Sequence, residues 1–86
     1  MAPSGMERWI SSFLDAAAAE RGAARNTLLA YGRDLLDAAG WLAARGQTFA
    51  TMDRATVEAY LVDCAAQGLS KATRARRLSS LRQLFR

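Results

Sequence analysis

The sequence predicts an all-α fold, four helices packed as a bundle. Three observations carry this. Apolar residues recur at spacings of three and four, which gathers them on one side of a helix. Glycines and small polar residues interrupt the pattern where stops and caps belong. The chain has a single proline, few β-branched residues and abundant alanine, a composition that favours helix. Its 86 residues suffice for one domain. A chain of that size buries roughly 60–65% of its unfolded surface, so the core must be economical.

Residues 1–4 read as a flexible tail and 5–86 as the domain. The first helix spans about 5–21, with Trp9, Ile10, Phe13, Leu14 and Ala17 as its core stripe, and Gly22 ends it. The second spans about 26–45, with Asn26 as N-cap. Leu28, Tyr31, Leu35, Ala38 and Leu42, joined by Trp41, keep helical spacing. Asp34 and Asp37 lie three apart on it, and Asp34 is expected to pair with a nearby arginine. Gly46 closes this helix, and 47–50 bridge to the third, about 52–67, capped by Thr51 or Asp53. Val57, Tyr60, Leu61, Cys64 and Ala65 form its apolar stripe, while Asp53, Glu58 and Asp63 face out. Gly68 ends it and Leu69 plugs the corner. Ser70 caps the fourth helix, about 71–86. Here Ala75, Leu78, Leu81 and Phe85 mark the buried side, and Thr73, Arg76, Arg77, Ser80 and Gln83 the outer one. The apolar pattern still runs at Arg86, which suggests a piece of something longer.

The charge is local. Residues 70–86 hold Lys71, Arg74, Arg76, Arg77, Arg82 and Arg86 without an acid, whereas all eight carboxylates lie earlier; the net charge is +4. A cationic helix at one end of a small domain suggests a polyanion partner. Arginine pairs bidentately with guanine or phosphate, and glutamine reads adenine. A solvated arginine-rich face is the plain alternative. At the start of the second helix, Arg21 and Arg25 lie beside free N–H groups, with Asn26 and Thr27 adding polar groups. That arrangement suits an anion and equally suits ordinary capping. The acidic third helix is expected to sit away from phosphates.

Other chemistry is poorly supported. There is no histidine and one cysteine, so the usual general base, a zinc site and an internal disulfide all lack their residues. Cys64 sits on the apolar stripe as a small filler. Tyr31, Tyr60, Trp9 and Trp41 occupy core spacing. No glycine-rich phosphate loop is present. Nothing supports catalysis, and no cofactor or metal is expected. No apolar run approaches ~18 residues and no signal peptide is evident. With the single cysteine, this favours a cytoplasmic, nucleoid-associated setting without membrane contact.

Three ordered pieces, ARNTLLAYGRDLLDAAGWL (24–42), TMDRATVEAYL (51–61) and GLSKATRARRLSSLRQLFR (68–86), preceded by FLDAAAAERG (13–22), resemble the N-terminal core-binding domain of tyrosine recombinases, the Xer type above all. The resemblance covers nearly the whole chain. It implies a SAM-like, four-helix orthogonal bundle forming half of a clamp round duplex DNA, with the second and fourth helices toward the DNA. It places Arg25, Asn26, Thr27 and Tyr31 on that side of the second helix, and Ser70, Lys71, Thr73, Arg74 and Arg77 on the fourth; charge adds Arg76. It also implies a separate C-terminal catalytic domain, absent here, and other recombinase protomers as partners. Two departures are expected to weaken contacts: Ala24 where the family often has serine, and Gly32 where it often has a basic residue. The main rival reading is a protein-interaction bundle whose basic helix docks on an acidic partner; a basic membrane-surface helix is a further one.

Overall fold

In the computed structural model, residues 5–22 and 24–85 are described, and the expected tail 1–4 and Arg86 lie outside them. Four helices follow in order: α1 (Gly5–Arg21), α2 (Arg25–Ala43), α3 (Arg54–Ala66) and α4 (Lys71–Leu84), with a 3₁₀ turn, Phe49–Thr51, before α3. No strand occurs among the described residues. The all-α expectation therefore holds. α2 is the hub: it packs on α1 along one side and on α4 along another, while α3 pairs with α4.

Local chemistry sets the ends of the elements. Gly22, Gly46 and Gly68 all have positive φ, the left-handed backbone that ends a helix without a Cβ clash. After α2 the Gln47 N–H donates to the Leu42 carbonyl at 2.9 Å, and after α3 the Leu69 N–H donates to the Cys64 carbonyl at 3.1 Å. Both are the long-range bond of a Schellman turn. Leu69 then packs against the core, as expected of a corner plug. Asp53 caps α3: its Oδ1 accepts from the Thr56 N–H and hydroxyl, each at 2.8 Å. Thr51 instead closes a capping box with Thr48 around the 3₁₀ turn. Ser70 caps α4, its Oγ accepting from the Thr73 N–H at 3.2 Å. Asn26 is not the cap of α2. That helix begins one residue earlier, at Arg25, with Ala24 as N-cap and no side-chain cap bond.

The core comprises Ile10, Leu35, Ala38, Leu42, Phe49, Tyr60, Cys64, Leu81 and Leu84. Leu35 and Leu42 are fully buried. α1 and α2 come close at Gly32, where an added Cβ would lie 3.4 Å from Leu14 Cδ1. Position 32 thus faces α1, so a basic side chain there would meet Leu14 before any outside ligand. Phe49 is 1% exposed although it lies in the connection. It meets Trp9 edge-on at 5.7 Å and Phe85 at 6.3 Å between ring centroids. Trp9 and Phe85, both expected inside, keep 36% and 44% of their surface open. Ala65, on the expected stripe of α3, is exposed. Asp63 does not simply face out: it accepts from Trp41 Nε1 at 2.7 Å and Arg45 Nη2 at 2.8 Å, and the Arg45 guanidinium stacks 3.8 Å over the Trp41 ring. This trio ties the end of α2 to α3.

Two outcomes follow. Phe49→Ala removes a fully enclosed ring and should cost about 3–5 kcal/mol, read as a loss of thermal stability. The Asp53 carboxyl is held below the ordinary aspartate range, first by the Thr56 backbone N–H and then by its hydroxyl. The unfolded chain takes up this proton more readily, so the cap stabilises fully above about pH 4 and fades as pH falls through the lowered folded value. The gap in Tm between the protein and Asp53→Ala should therefore be widest near neutrality and close in acid.

Candidate nucleic-acid interface

The site is built where α4 crosses α2. The Asp34 side chain, on α2, is 1% exposed. Its Oδ2 accepts from Arg76 Nε at 3.0 Å and from Ser80 Oγ at 3.0 Å, and its Oδ1 accepts from Arg76 Nη2 at 2.9 Å. A buried carboxylate needs such compensation, because an unpaired one carries a heavy desolvation cost. Asp34 thus pairs with an arginine as expected, but with one 42 residues along the chain rather than one nearby. One helical turn on, Asp37 Oδ2 accepts from Arg77 Nη1 at 2.6 Å and from the Tyr60 hydroxyl at 2.6 Å. Arg77 Nη1 also reaches the Tyr60 oxygen at 3.1 Å and Cys64 Sγ at 3.7 Å, which brings α3 into the cluster. Arg77 Nε stands 3.9 Å from Asp34 Oδ1, an ion pair too long for a hydrogen bond.

The titration shifts follow this geometry. Burial raises the Tyr60 pKa, and its bond to Asp37 raises it further, so Tyr60 stays a neutral donor. The bond to Asp34 lifts Arg76. For Arg77, burial works against the charge, but Tyr60, Asp37 and Cys64 more than offset it.

This overturns the expected facing of α4. Ser80 is fully buried, Leu84 is buried, and Ala75 and Phe85 are exposed. The buried side is turned by about 100° from the expected one, taking ~100° per residue. Arg77, expected on the outer stripe, has a side chain only 16% exposed; Arg76 keeps 50%. Three described cations of α4 stay outside the ion pairs: Lys71, Arg74 and Arg82. With Leu78 they line one side of the helix, within an arc of about 80° and over roughly 17 Å. Lys71 and Arg82 are exposed, and Arg74 is half-buried with its Nε unpartnered.

The other expected residues divide. Arg25, Asn26 and Thr27 are exposed at the start of α2, where the first amides have no side-chain cap and no acid stands in the first turn. The side chain of Arg21 lies outside the described residues. Tyr31 is half-buried and leans on the Phe13 ring at 6.2 Å, so it belongs to the α1–α2 contact. Ser70 and Thr73 are joined by their hydroxyls at 3.0 Å in the cap. Sequence reasoning missed Asp37 and Tyr60 as partners of α4, and it counted Arg82 among the cations of this helix without placing it in the site. The available signal was that Asp34 and Asp37 are the only acids in the second helix, spaced to meet consecutive arginines. No group of His, Cys, Asp and Glu among the described residues could hold a metal, and no described helix is long and apolar enough to cross a membrane.

Fold and site define a small all-helical domain with a cationic helix braced by two acids of α2, of which Asp34 is buried. The chain belongs to the phage integrase N-terminal SAM-like domain family, which it matches over residues 10–86. It is 52% identical over 80 residues to a tyrosine recombinase XerD of Caulobacter vibrioides, covering 93% of this chain and 26% of that one. It is 47% identical over 77 residues to a tyrosine recombinase XerD of Agrobacterium fabrum, covering 90% and 23%. It is 49% identical to that of Brucella abortus, covering 90% and 25%. The chain thus spans about a quarter of the length of these curated relatives. No solved structure gives a significant match.

Removing the buried acid should be costly and removing an open cation should not. Asp34→Ala takes away the acceptor shared by Ser80 Oγ and the Arg76 fork. Arg76 is half-open to water and Ser80 keeps the Arg76 carbonyl, so the cost should be about 1–3 kcal/mol. Arg82→Ala should stay within about 0.5 kcal/mol of the unaltered chain. Chemical denaturation of both variants checks the contrast.

Proposed function

We propose that this domain binds duplex DNA as the N-terminal module of a XerD-like site-specific tyrosine recombinase. The observation that carries the reading is the line Lys71, Arg74 and Arg82, left outside every described ion pair on an acid-free helix, in a chain of this family. Lysine and arginine neutralising phosphates supply most of the affinity of such domains. Arg25 and the uncapped amides at the start of α2 offer a second cationic seat. Asn26, Thr27 and Thr73 are the groups suited to base edges, and they give limited sequence preference. Arg77, held by Asp37 and Tyr60, braces the helix from behind.

On this reading the module is one half of a clamp closed by a C-terminal catalytic domain of the same parent chain. Further recombinase protomers join it on a recombination core site in the cytoplasm. The parent exchanges strands in chromosome dimer resolution or in integration of an element.

Alone, the half-clamp should bind duplex with a Kd on the order of 10⁻⁴ to 10⁻⁶ M. With about four cations on phosphates, log K should fall with log salt at a slope of about −3.6. Lys71→Ala combined with Arg74→Ala should weaken binding and flatten the slope by about 1.8 while leaving helicity intact. Fluorescence anisotropy of a labelled duplex across a salt series checks this. An unchanged titration overturns the proposal, and equal binding to an acidic polypeptide of similar charge moves the reading to a protein-docking helix.

A further inference from the structure

Arg76 and Arg77 are neighbours in sequence with opposite fates. Arg77 is largely enclosed, its side chain 16% exposed and bound to Asp37, Tyr60 and Cys64. Arg76 is held just as firmly, yet half of its side chain faces water. Its bonds to Asp34 use Nε and Nη2. A guanidinium carries five N–H donors in a rigid plane. Two are engaged by Asp34, and three remain, including both on Nη1.

Asp34 is itself fixed. Its side chain is 1% exposed on the hub helix, and buried Ser80 donates to the same Oδ2 that receives Arg76 Nε. Ser80 lies one turn after Arg76, and its single hydroxyl proton is shared between Asp34 Oδ2 and the Arg76 carbonyl, 3.1 Å from Oγ. Side chain and backbone of Arg76 are therefore tied to one point.

We propose that Asp34 is a positioning residue for nucleic-acid binding: it fixes one edge of the Arg76 guanidinium so that the other edge is presented, already ordered, to a backbone phosphate. This rests on the duplex-binding reading above and adds to it a residue that never touches the ligand. At ~100° per residue Arg76 lies about 160° round α4 from the line Lys71, Arg74 and Arg82, so the phosphate it meets belongs to the strand on the other side of the groove. A free arginine gives up rotamer freedom when it engages a phosphate, whereas a held one has lost it on folding. The guanidinium's planar fork accepts a carboxylate on one side and a phosphate on the other, which a lysine ammonium does not reproduce.

The sign of one measurement separates positioning from charge. Asp34→Asn removes a negative charge and lifts the formal net charge one unit above +4. If charge alone mattered, duplex affinity would rise. Positioning requires it to fall, by about 3- to 10-fold, with the salt slope flattened by about 0.9 as one phosphate contact is lost. Arg76→Lys keeps the charge and alters a half-open position, so it remains testable if Asp34→Asn unfolds. It should weaken binding to a similar degree, and adding Asp34→Asn to it should cost little more.

The probe is a labelled mixed-sequence duplex, read by anisotropy at low temperature, with circular dichroism confirming that each variant is folded. Loss of affinity in folded Arg76→Lys and Asp34→Asn upholds the proposal. Affinity equal to or above that of the unaltered chain in folded Asp34→Asn or in folded Arg76→Lys overturns it and leaves duplex binding standing. Failure of the unaltered chain to bind duplex removes both readings.

Discussion

The buried carboxylate of Asp34 is the constraint on which the arrangement of this domain turns. It sits on α2 at the crossing with α4, and a charge so enclosed is tolerable only with strong donors on both oxygens. Arg76 and Ser80 supply them. Satisfying that one group dictates which side of α4 faces inward, and hence which cations remain outside. Hydrophobic burial alone would accept several rotations of a helix containing Leu78, Leu81, Leu84 and Phe85. The polar contacts admit one.

Much of the fold was legible in the sequence, because its signals are local. Three glycines with left-handed backbone, the Asp53 and Ser70 caps and the i, i+3, i+4 stripes of α1 and α2 each act over a few residues. The start of α2 was misread for the same reason: Asn26 is a better cap than Ala24 in isolation, and the helix begins earlier regardless. The rotation of α4 was not legible. Periodicity treats arginine and serine as outward, whereas here Arg77 and Ser80 are inward because two acids on another helix receive them. Their partners are more than thirty residues away in the chain, and no local pattern reports such a distance. Phe49 shows the same limit. One aromatic ring in a connection has no period, yet it fills the space between Trp9 and Phe85.

The consequence for the candidate interface is a division of labour among like-charged residues. Five described cations on α4 look equivalent in composition. The structure sorts them into one enclosed brace, one half-open arginine held at an edge, and three outside the ion pairs. The net charge of +4 therefore understates the asymmetry of the surface, since two acids of α2 are spent against the inner side of α4. Exposed surface pairs such as Arg54 and Glu58, at 3.2 Å, add little by comparison.

The joint at Trp41 has a bearing on how this molecule can be watched. Its indole donates to Asp63 and lies under the Arg45 guanidinium, while the other indole, Trp9, sits half in water against two phenyl rings. The two chromophores thus occupy different surroundings: Trp41 has a carboxylate, a guanidinium and the Tyr60 ring, 5.3 Å between centroids, and Trp9 has two phenyl rings. Each stands at a different seam, α2 with α3 for Trp41 and α1 with the α4 end for Trp9. The chain carries its own pair of optical gauges, able to tell which half loosens first without any label attached.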